Sequence, residues 1–142
     1  MNKLKFPVSI KAPKEKVWEK LWDDKTYRQW TAAFMEGSYA KSDWKEGSKI
    51  EFLGSEGNGM FGIIEKLIPN EQMVFKHQGE LKNGVEEKKD WGEARESYRL
   101  EENNGVTELN VELDSPGADL EQYFSDTFPK ALTILKKISE EA

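Results

Sequence analysis

The sequence predicts an α+β domain in which a curved antiparallel β-sheet wraps around a long C-terminal helix. Three observations support this fold class. Apolar and polar residues alternate at the start and through the middle of the chain, two short helical segments separate these regions, and an apolar stripe follows near the end. At 142 residues the chain has the length of one domain with a sizeable core, so we expect a single domain over 1–142.

The first predicted elements are a strand and two short helices. Leu4, Phe6, Val8 and Ile10 alternate with basic or polar residues, which is typical of a strand with one buried face. Pro13 suits the first turn of the following helix, where its missing N–H costs nothing. The aspartate pair that ends this helix offers an N-cap, so we expect a tight turn into a second short helix.

From Gly37 to Leu113 the pattern indicates roughly six antiparallel strands. The clearest strand runs from Thr107 to Leu113, where apolar and polar residues alternate strictly. Asn104-Gly105 precedes it and is typical of a tight hairpin, because both turn residues need a positive φ. Residues 79–92 carry many charges and are predicted to form a long hairpin tip.

The chain ends in a predicted helix whose apolar stripe has helical spacing. The stripe consists of Leu120, Phe124, Ala131, Leu135 and Ile138. Pro129 lies inside the pattern and is expected to kink or interrupt the helix, at a cost of about 3 kcal/mol. A sheet with one apolar face must curl around something, and this helix is the only predicted element long enough to fill it.

The composition excludes several classes of protein. The chain has no cysteine, which removes disulfides, thiolate metal sites and cysteine nucleophiles. No stretch approaches about 18 apolar residues and the start lacks a signal-peptide core, so we expect a cytoplasmic protein without membrane insertion. The net charge of −6 argues against a nucleic-acid partner. The first third is basic and the last third acidic, which predicts that the two ends of the chain lie together.

Several short motifs resemble those of the START/SRPBCC superfamily, which has the helix-grip fold. Within that superfamily the chain is similar to the activator of heat-shock-protein-90 ATPase homologue-like family. The motifs that carry the resemblance are Ile10-Lys11-Ala12-Pro13, Val17-Trp18, Trp30, Trp44-Lys45-Glu46-Gly47-Ser48, Gly62, Ile68-Pro69-Asn70-Glu71-Gln72-Met73-Val74-Phe75, Gly105-Val106-Thr107-Glu108-Leu109 and the stripe from Leu132 to Ile138. The resemblance implies an apolar cavity between the sheet and the C-terminal helix. It also implies binding of lipids or other hydrophobic molecules, while some members are cyclases or hydrolases.

Two polar residues are the candidates for chemistry. Glu96 shares parity with Tyr98 and Leu100, which aims its carboxylate toward the apolar face of the sheet. An ionised carboxylate there is costly unless it is paired, so Glu96 is either functional, near a strand end that reaches water, or paired with a basic residue. His77, the only histidine, shares parity with Phe75 and is predicted to border the cavity as a hydrogen-bonded group or as a catalytic partner of Glu96.

We expect an aromatic-rich set of side chains to line the cavity that the resemblance implies, although ordinary core packing is the better explanation for each residue taken singly. The predicted ligand-binding residues are Trp30, Trp44, Phe52, Phe75, His77, Glu96, Tyr98, Tyr123, Phe124 and Phe128. Trp91, in the charged hairpin tip, is not needed for the core and is a candidate lid or partner contact.

A glycine-rich segment, Gly57-Asn58-Gly59-Met60-Phe61-Gly62, matches the spacing of dinucleotide-binding loops. Such a loop must open a helix, whereas a short apolar strand pattern follows here, so the segment is interpreted as part of a hairpin. No cofactor and no metal site are predicted, since one histidine among scattered carboxylates is a poor ligand set.

The leading functional hypothesis is a binder of a small hydrophobic or lipid-like molecule with little or no enzymatic activity. The alternatives are a chaperone-associated interaction protein, which rests on the family resemblance, and an enzyme of the cyclase or hydrolase type that uses Glu96 and His77 as general acid and base.

Overall fold

Eight strands and three helices occupy the residues that the computed structural model describes, which are 2–34, 37–54, 57–89, 94–115 and 118–141. In chain order these elements are β1 (Asn2–Ile10), α1 (Lys14–Trp22), α2 (Asp24–Thr31), β2 (Tyr39–Ser42), β3 (Lys49–Leu53), β4 (Gly59–Ile68), β5 (Gln72–Lys82), β6 (Val85–Lys88), β7 (Arg95–Asn103), β8 (Val106–Ser115) and α3 (Ala118–Glu140). The predicted fold class is confirmed, with one strand more than expected between α2 and α3.

The strands form one antiparallel sheet in the order β1-β8-β7-β5-β4-β3-β2, and β6 pairs with β5 beyond the end of β7. Consecutive strands are neighbours from β2 to β6 and from β7 to β8. The strands β1 and β2, which α1 and α2 connect, lie at opposite edges of the sheet, and β7 pairs with β5 and β8. The concave face of the sheet is apolar, and α3 packs against it together with α1 and α2. This arrangement is the helix grip that the sequence predicts.

Pairing of β1 with β8 brings the basic start of the chain beside its acidic end, as expected. Lys5 lies opposite Glu112, and its Nζ is 3.8 Å from the Glu112 carboxylate. The backbone N–H of Lys11 donates to Glu140 at the end of α3, at 2.8 Å. These exposed contacts place acidic side chains from the end of the chain beside its start, although each contact contributes little to stability.

Pro129 does not interrupt α3, which runs as one helix from Ala118 to Glu140, so of the expected kink or interruption, the interruption is wrong. Pro129 and Ser125 both lie at exposed positions. Because water can reach that side, the Ser125 carbonyl does not need the N–H that proline lacks. On the opposite side Phe128 and Ala131 are almost fully buried, and this packing offsets the cost of the proline.

The helix starts and hairpins follow local sequence signals. Asp23 is the N-cap residue of α2, but its side chain makes no capping hydrogen bond, and Pro13 precedes α1 as its N-cap. The expected hairpin tip is more regular than predicted, because β5 and β6 continue the sheet around a turn at Asn83-Gly84 with positive φ angles of 53° and 80°. Residues 90–93 of that predicted tip lie outside the described residues.

In the glycine-rich segment, residues 57 and 58 lead into β4 and the other four residues are the first part of β4. Because β4 pairs with β3, the segment belongs to a hairpin, as interpreted from the sequence. Gly59 begins β4, and a Cβ atom there would lie 1.8 Å from the Phe52 carbonyl oxygen of β3. Glycine at this position is therefore required by the close approach of two strands rather than by a phosphate group.

Candidate functional site

A cavity of about 210 Å³ lies between the N-terminal half of α3, helix α2 and the end of the sheet formed by β2, β3, β4 and β7. It opens to the surface beside Tyr123, whose exposed fraction is 41%. The side chains and backbone that line it belong to Tyr27, Trp30, Thr31, Phe34, Ser38, Tyr39, Phe52, Leu53, Gly54, Asn58, Gly59, Met60, Glu96, Tyr98, Tyr123, Phe124 and Phe128.

Helix α2 supplies one wall through residues three or four positions apart, which lie on one helix face. Trp30 is almost fully buried, and its indole N–H donates to the Leu21 carbonyl of α1 at 3.1 Å. The Thr31 hydroxyl donates to the Tyr27 carbonyl at 2.6 Å. These bonds satisfy the indole N–H of Trp30 and the hydroxyl of Thr31 within the helices.

The charged group of the cavity wall is Glu96 of β7, which His77 of β5 contacts from outside the lining. Glu96 lines the cavity with its side chain 15% exposed, and its Oε1 lies 3.0 Å from Nε2 of His77. The Tyr98 hydroxyl donates to Oε2 of the same carboxylate. Each oxygen of Glu96 therefore has a partner, which reduces the cost of placing an ionised carboxylate beside apolar rings.

Burial and the charge of Glu96 both keep the neighbouring phenols protonated. Burial raises the pKa of Tyr98 well above its usual value, and the adjacent Glu96 charge and hydrogen bond raise it further. Burial, followed by the Glu96 charge, also raises the pKa of Tyr27 far above its usual value. Tyr98 is thus held as a hydrogen-bond donor toward the carboxylate.

The mouth of the cavity is bridged by a hydrogen bond between two helical elements. The hydroxyl of Tyr123 in α3 donates to the Phe34 carbonyl just after α2, at 2.5 Å. The Phe34 ring lies 4.8 Å from the Phe128 ring, centroid to centroid. Partial burial raises the pKa of Tyr123. Because the hydrogen bond of Tyr123 is exposed, it can open more easily than contacts of the core.

Seven of the ten predicted ligand-binding residues line the cavity. They are Trp30, Phe52, Glu96, Tyr98, Tyr123, Phe124 and Phe128. The structure places the other three in the surrounding layer: Phe75 packs 5.4 Å from the Trp22 ring, Trp44 packs 6.0 Å from it, and His77 lies behind Phe52 and Glu96. Trp91, the candidate lid or partner contact, lies outside the described residues.

Sequence reasoning missed a second set of lining residues, which includes Tyr27, Thr31 and Phe34 of the α2 region, Tyr39 and Met60. Their helical spacing with Trp30 was the available signal for the α2 residues. Spacing alone does not tell which face of a short helix is turned toward the sheet, because α1 packs against the same helix.

The arrangement can bind an apolar body and offer one carboxylate to a polar group. It also places His77 and Glu96 within proton-transfer distance of each other. Within the described residues no group of three or more metal-ligating side chains comes together. The same described residues include no helix with the length and hydrophobicity needed to cross a bilayer.

Comparison with known proteins agrees with this architecture. The Aha1 dimer from Colwellia psychrerythraea has a solution structure that superposes with a TM-score of 0.76 at 22% identity, covering 99% of this chain and 97% of that one. ChR145 from Cytophaga hutchinsonii gives a TM-score of 0.72 at 24% identity, covering 97% and 93%. CalU16 from Micromonospora echinospora gives 0.71 at 17% identity, covering 96% and 75%.

At these identities the solved structures show a shared fold. No curated protein sequence matches the chain. The sequence profile described as "Activator of Hsp90 ATPase homolog 1-like protein" matches residues 11–140, which is nearly the whole chain from the end of β1 to the end of α3. The chain therefore belongs to the activator of Hsp90 ATPase homologue 1-like family.

Proposed function

We propose that the chain binds a small hydrophobic, lipid-like molecule in the cavity beneath the N-terminal half of α3. The observation that carries the proposal is a cavity of about 210 Å³ whose wall is mostly aromatic and aliphatic, with a few polar groups. Ligand pockets commonly combine a mostly apolar lining with one or two orienting groups. Here the orienting group is the Glu96 carboxylate, held by Tyr98 and His77.

The size of the cavity sets the scale of the ligand. Cavities lined by apolar residues stay dry and accept small aromatic molecules, and a volume of roughly 150 Å³ is already enough for benzene. The larger space here, with an open mouth beside Tyr123, suits a fused-ring body or a short acyl chain. Aromatic walls contribute large contact areas at a small entropy cost.

Binding of 1-naphthalenemethanol, measured by isothermal titration calorimetry, tests the proposal. Met60 lines the cavity from β4, so Met60→Trp should fill the space and remove binding. Met60→Leu is the matched control, because it conserves volume and should retain binding. Saturable binding that Met60→Trp alone removes would support the proposal. Absence of binding to the wild type would contradict it.

A second candidate function is interaction with a chaperone, which the description of the matching family favours. The Colwellia psychrerythraea structure also carries the name Aha1. Addition of the purified chain to an Hsp90-class ATPase tests this candidate. A raised ATPase rate that Trp91→Ala lowers and Met60→Trp leaves unchanged would support it, whereas an unchanged rate would count against it.

Acid–base catalysis is the third candidate, and the 3.0 Å contact between His77 and Glu96 favours it. Hydrolysis of 2-naphthyl acetate, which carries a similar aromatic body, tests this possibility for a hydrolase. A rate that falls strongly in Glu96→Gln would support a catalytic carboxylate. Equal rates for the wild type and Glu96→Gln would leave Glu96 as a binding group for this ester.

A further inference from the structure

Glu96 is the one charged side chain among the described residues that line the cavity. The other lining groups are aromatic, aliphatic or uncharged polar. Its carboxylate is 85% buried, since its exposed fraction is 15%. Water screens a largely buried charge only weakly, so the charge of Glu96 should strongly affect which charged or polar groups of a ligand can bind in the cavity.

The two partners of the carboxylate donate hydrogen bonds without cancelling its charge. Tyr98 is a neutral phenol. His77 offers Nε2 to Glu96, while its Nδ1 is buried and has no hydrogen-bond partner among the described residues. A neutral ring protonated on Nε2 accounts for this geometry. In that tautomer the unpaired Nδ1 is a hydrogen-bond acceptor, and an unpaired acceptor costs less to bury than an unpaired N–H donor. An imidazolium would instead bury an unpaired N–H donor, which costs more.

No lysine or arginine of the described chain forms an ion pair with Glu96. The adjacent Arg95 has the opposite strand parity, and its Nε pairs with Glu65 at 2.7 Å. The effect of the uncompensated charge extends across the cavity, since Glu96 contributes to the raised pKa of Tyr27 on α2. The described lining of the cavity is therefore mostly apolar and rich in aromatic rings, with one carboxylate charge on the β7 side that no lysine or arginine pairs with.

Building on the proposed function, we propose that the cavity selects organic cations: molecules with an apolar, ring-sized body and an ammonium group that pairs with Glu96. The ammonium group would lie beside the rings of Tyr27, Trp30 and Tyr98, which line the same space. Aromatic faces attract cations, and the attraction is stronger where water is excluded. Carboxylate ligands such as fatty acids would meet a like charge and be rejected.

Three probes with one naphthalene body test this selectivity by calorimetry near neutral pH: 1-naphthylmethylamine, 1-naphthalenemethanol and 1-naphthoate. We expect the amine to bind roughly tenfold more tightly than the alcohol, and the carboxylate to bind least well. Glu96→Gln keeps an acceptor for Tyr98 and should reduce amine affinity to that of the alcohol. Glu101→Gln, on the exposed face of the same strand, makes the same charge change and should alter nothing.

The outcomes separate this proposal from the binding function on which it rests. If the alcohol binds but the amine is not preferred, or the preference survives in Glu96→Gln, cation selection is wrong and hydrophobic binding stands. If none of the probes binds the wild type, both proposals fall. Should Glu96→Gln not fold, the order of affinities in the wild type decides the question by itself.

Discussion

The two halves of α3 meet the sheet in different ways. In the C-terminal half, Ala131, Leu132 and Leu135 are at most 3% exposed, and Lys136 reaches the Ser9 carbonyl of β1 at 2.8 Å. In the N-terminal half, Tyr123 and Phe124 border a cavity of about 210 Å³. One helix therefore closes the core at one end and stands away from the sheet at the other.

Side-chain size explains this difference. Ala131, with a single methyl group, lets the helix approach the sheet closely, and leucines fill the remaining space. Toward the other end, Phe128 stacks on Phe6 at 5.0 Å and meets Phe34 at 4.8 Å. The rings of Phe6, Phe34 and Phe128 hold the N-terminal half of α3 apart from Tyr98 and Glu96. We therefore expect the C-terminal half of α3 to contribute most to stability and the N-terminal half to contribute to binding.

The largest expected effect separates the two halves. Leu135→Ala should lower the free energy of unfolding by about 2–5 kcal/mol, because it leaves a void in a closed core. Phe124→Ala should cost no more than about half of that, since its half-buried ring already borders empty space. Urea unfolding with an unchanged slope measures both losses. Equal losses would show that the two halves are packed alike.

A smaller effect compares the inner wall of the cavity with its mouth. Tyr98→Phe removes a donor from a largely buried carboxylate and should cost about 1.5–3 kcal/mol. Tyr123→Phe removes a bond to a carbonyl near the surface and should cost about 0.5–1.5 kcal/mol. Thermal unfolding of the two variants provides the comparison. A larger loss for Tyr123→Phe would place the important hydrogen bond at the mouth instead.

Alkaline pH should lower the free energy of unfolding through two tyrosines of the cavity wall, Tyr27 and Tyr98. Burial raises the pKa of both Tyr27 and Tyr98 in the folded chain, so the folded state keeps protons that the unfolded state loses above about pH 10. Below about pH 10 both tyrosines are protonated in the folded and the unfolded state, so the free energy of unfolding does not depend on them. Above that pH the free energy of unfolding should fall by about 1.4 kcal/mol per pH unit for each tyrosine. Tyr27→Phe should make this fall less steep, as measured by urea unfolding at several pH values. A slope identical to that of the wild type would contradict the assignment.

The smallest effect belongs to the outer face of the sheet. A hydrogen bond from Arg95 lowers the pKa of Glu65, so this pair stabilises the fold above the unfolded pKa of glutamate and the contribution is lost as the pH falls. Both side chains are more than a third exposed, and Glu65→Gln should therefore cost less than about 1 kcal/mol at neutral pH. Unfolding at low and at high salt tests this, because screening should remove most of the difference.

The fold could be predicted because strand alternation, hairpin turns and the final apolar stripe are local signals. The sequence does not reveal that the helix continues through Pro129, since the cost of this proline depends on whether water reaches the Ser125 carbonyl. Strand parity also placed Glu96 and Tyr98 correctly on the concave face. Parity does not say what covers that face, and the Trp22 ring of α1 covers Phe75 at 5.4 Å.

The places of Trp44, His77 and Tyr27 relative to the cavity also depend on which elements pack together. Trp44 has a positive φ of 55° and packs 6.0 Å from the Trp22 ring, which is a tertiary arrangement that residue spacing cannot reveal. His77 lies behind Phe52, with 5.4 Å between the ring centroids, rather than at the cavity surface. The sequence does not identify Tyr27 as a lining residue, because the helical pattern does not distinguish the face of α2 toward α1 from the face toward the cavity.

An amide NMR titration with 1-naphthalenemethanol tests most directly the claim that one half of α3 packs and the other binds. We predict saturable shifts at Trp30, Tyr98 and Phe124 and none at Leu132 and Leu135, with all shifts lost in Met60→Trp. Shifts at Leu132 and Leu135, or no saturable shifts anywhere, would contradict this division of the helix.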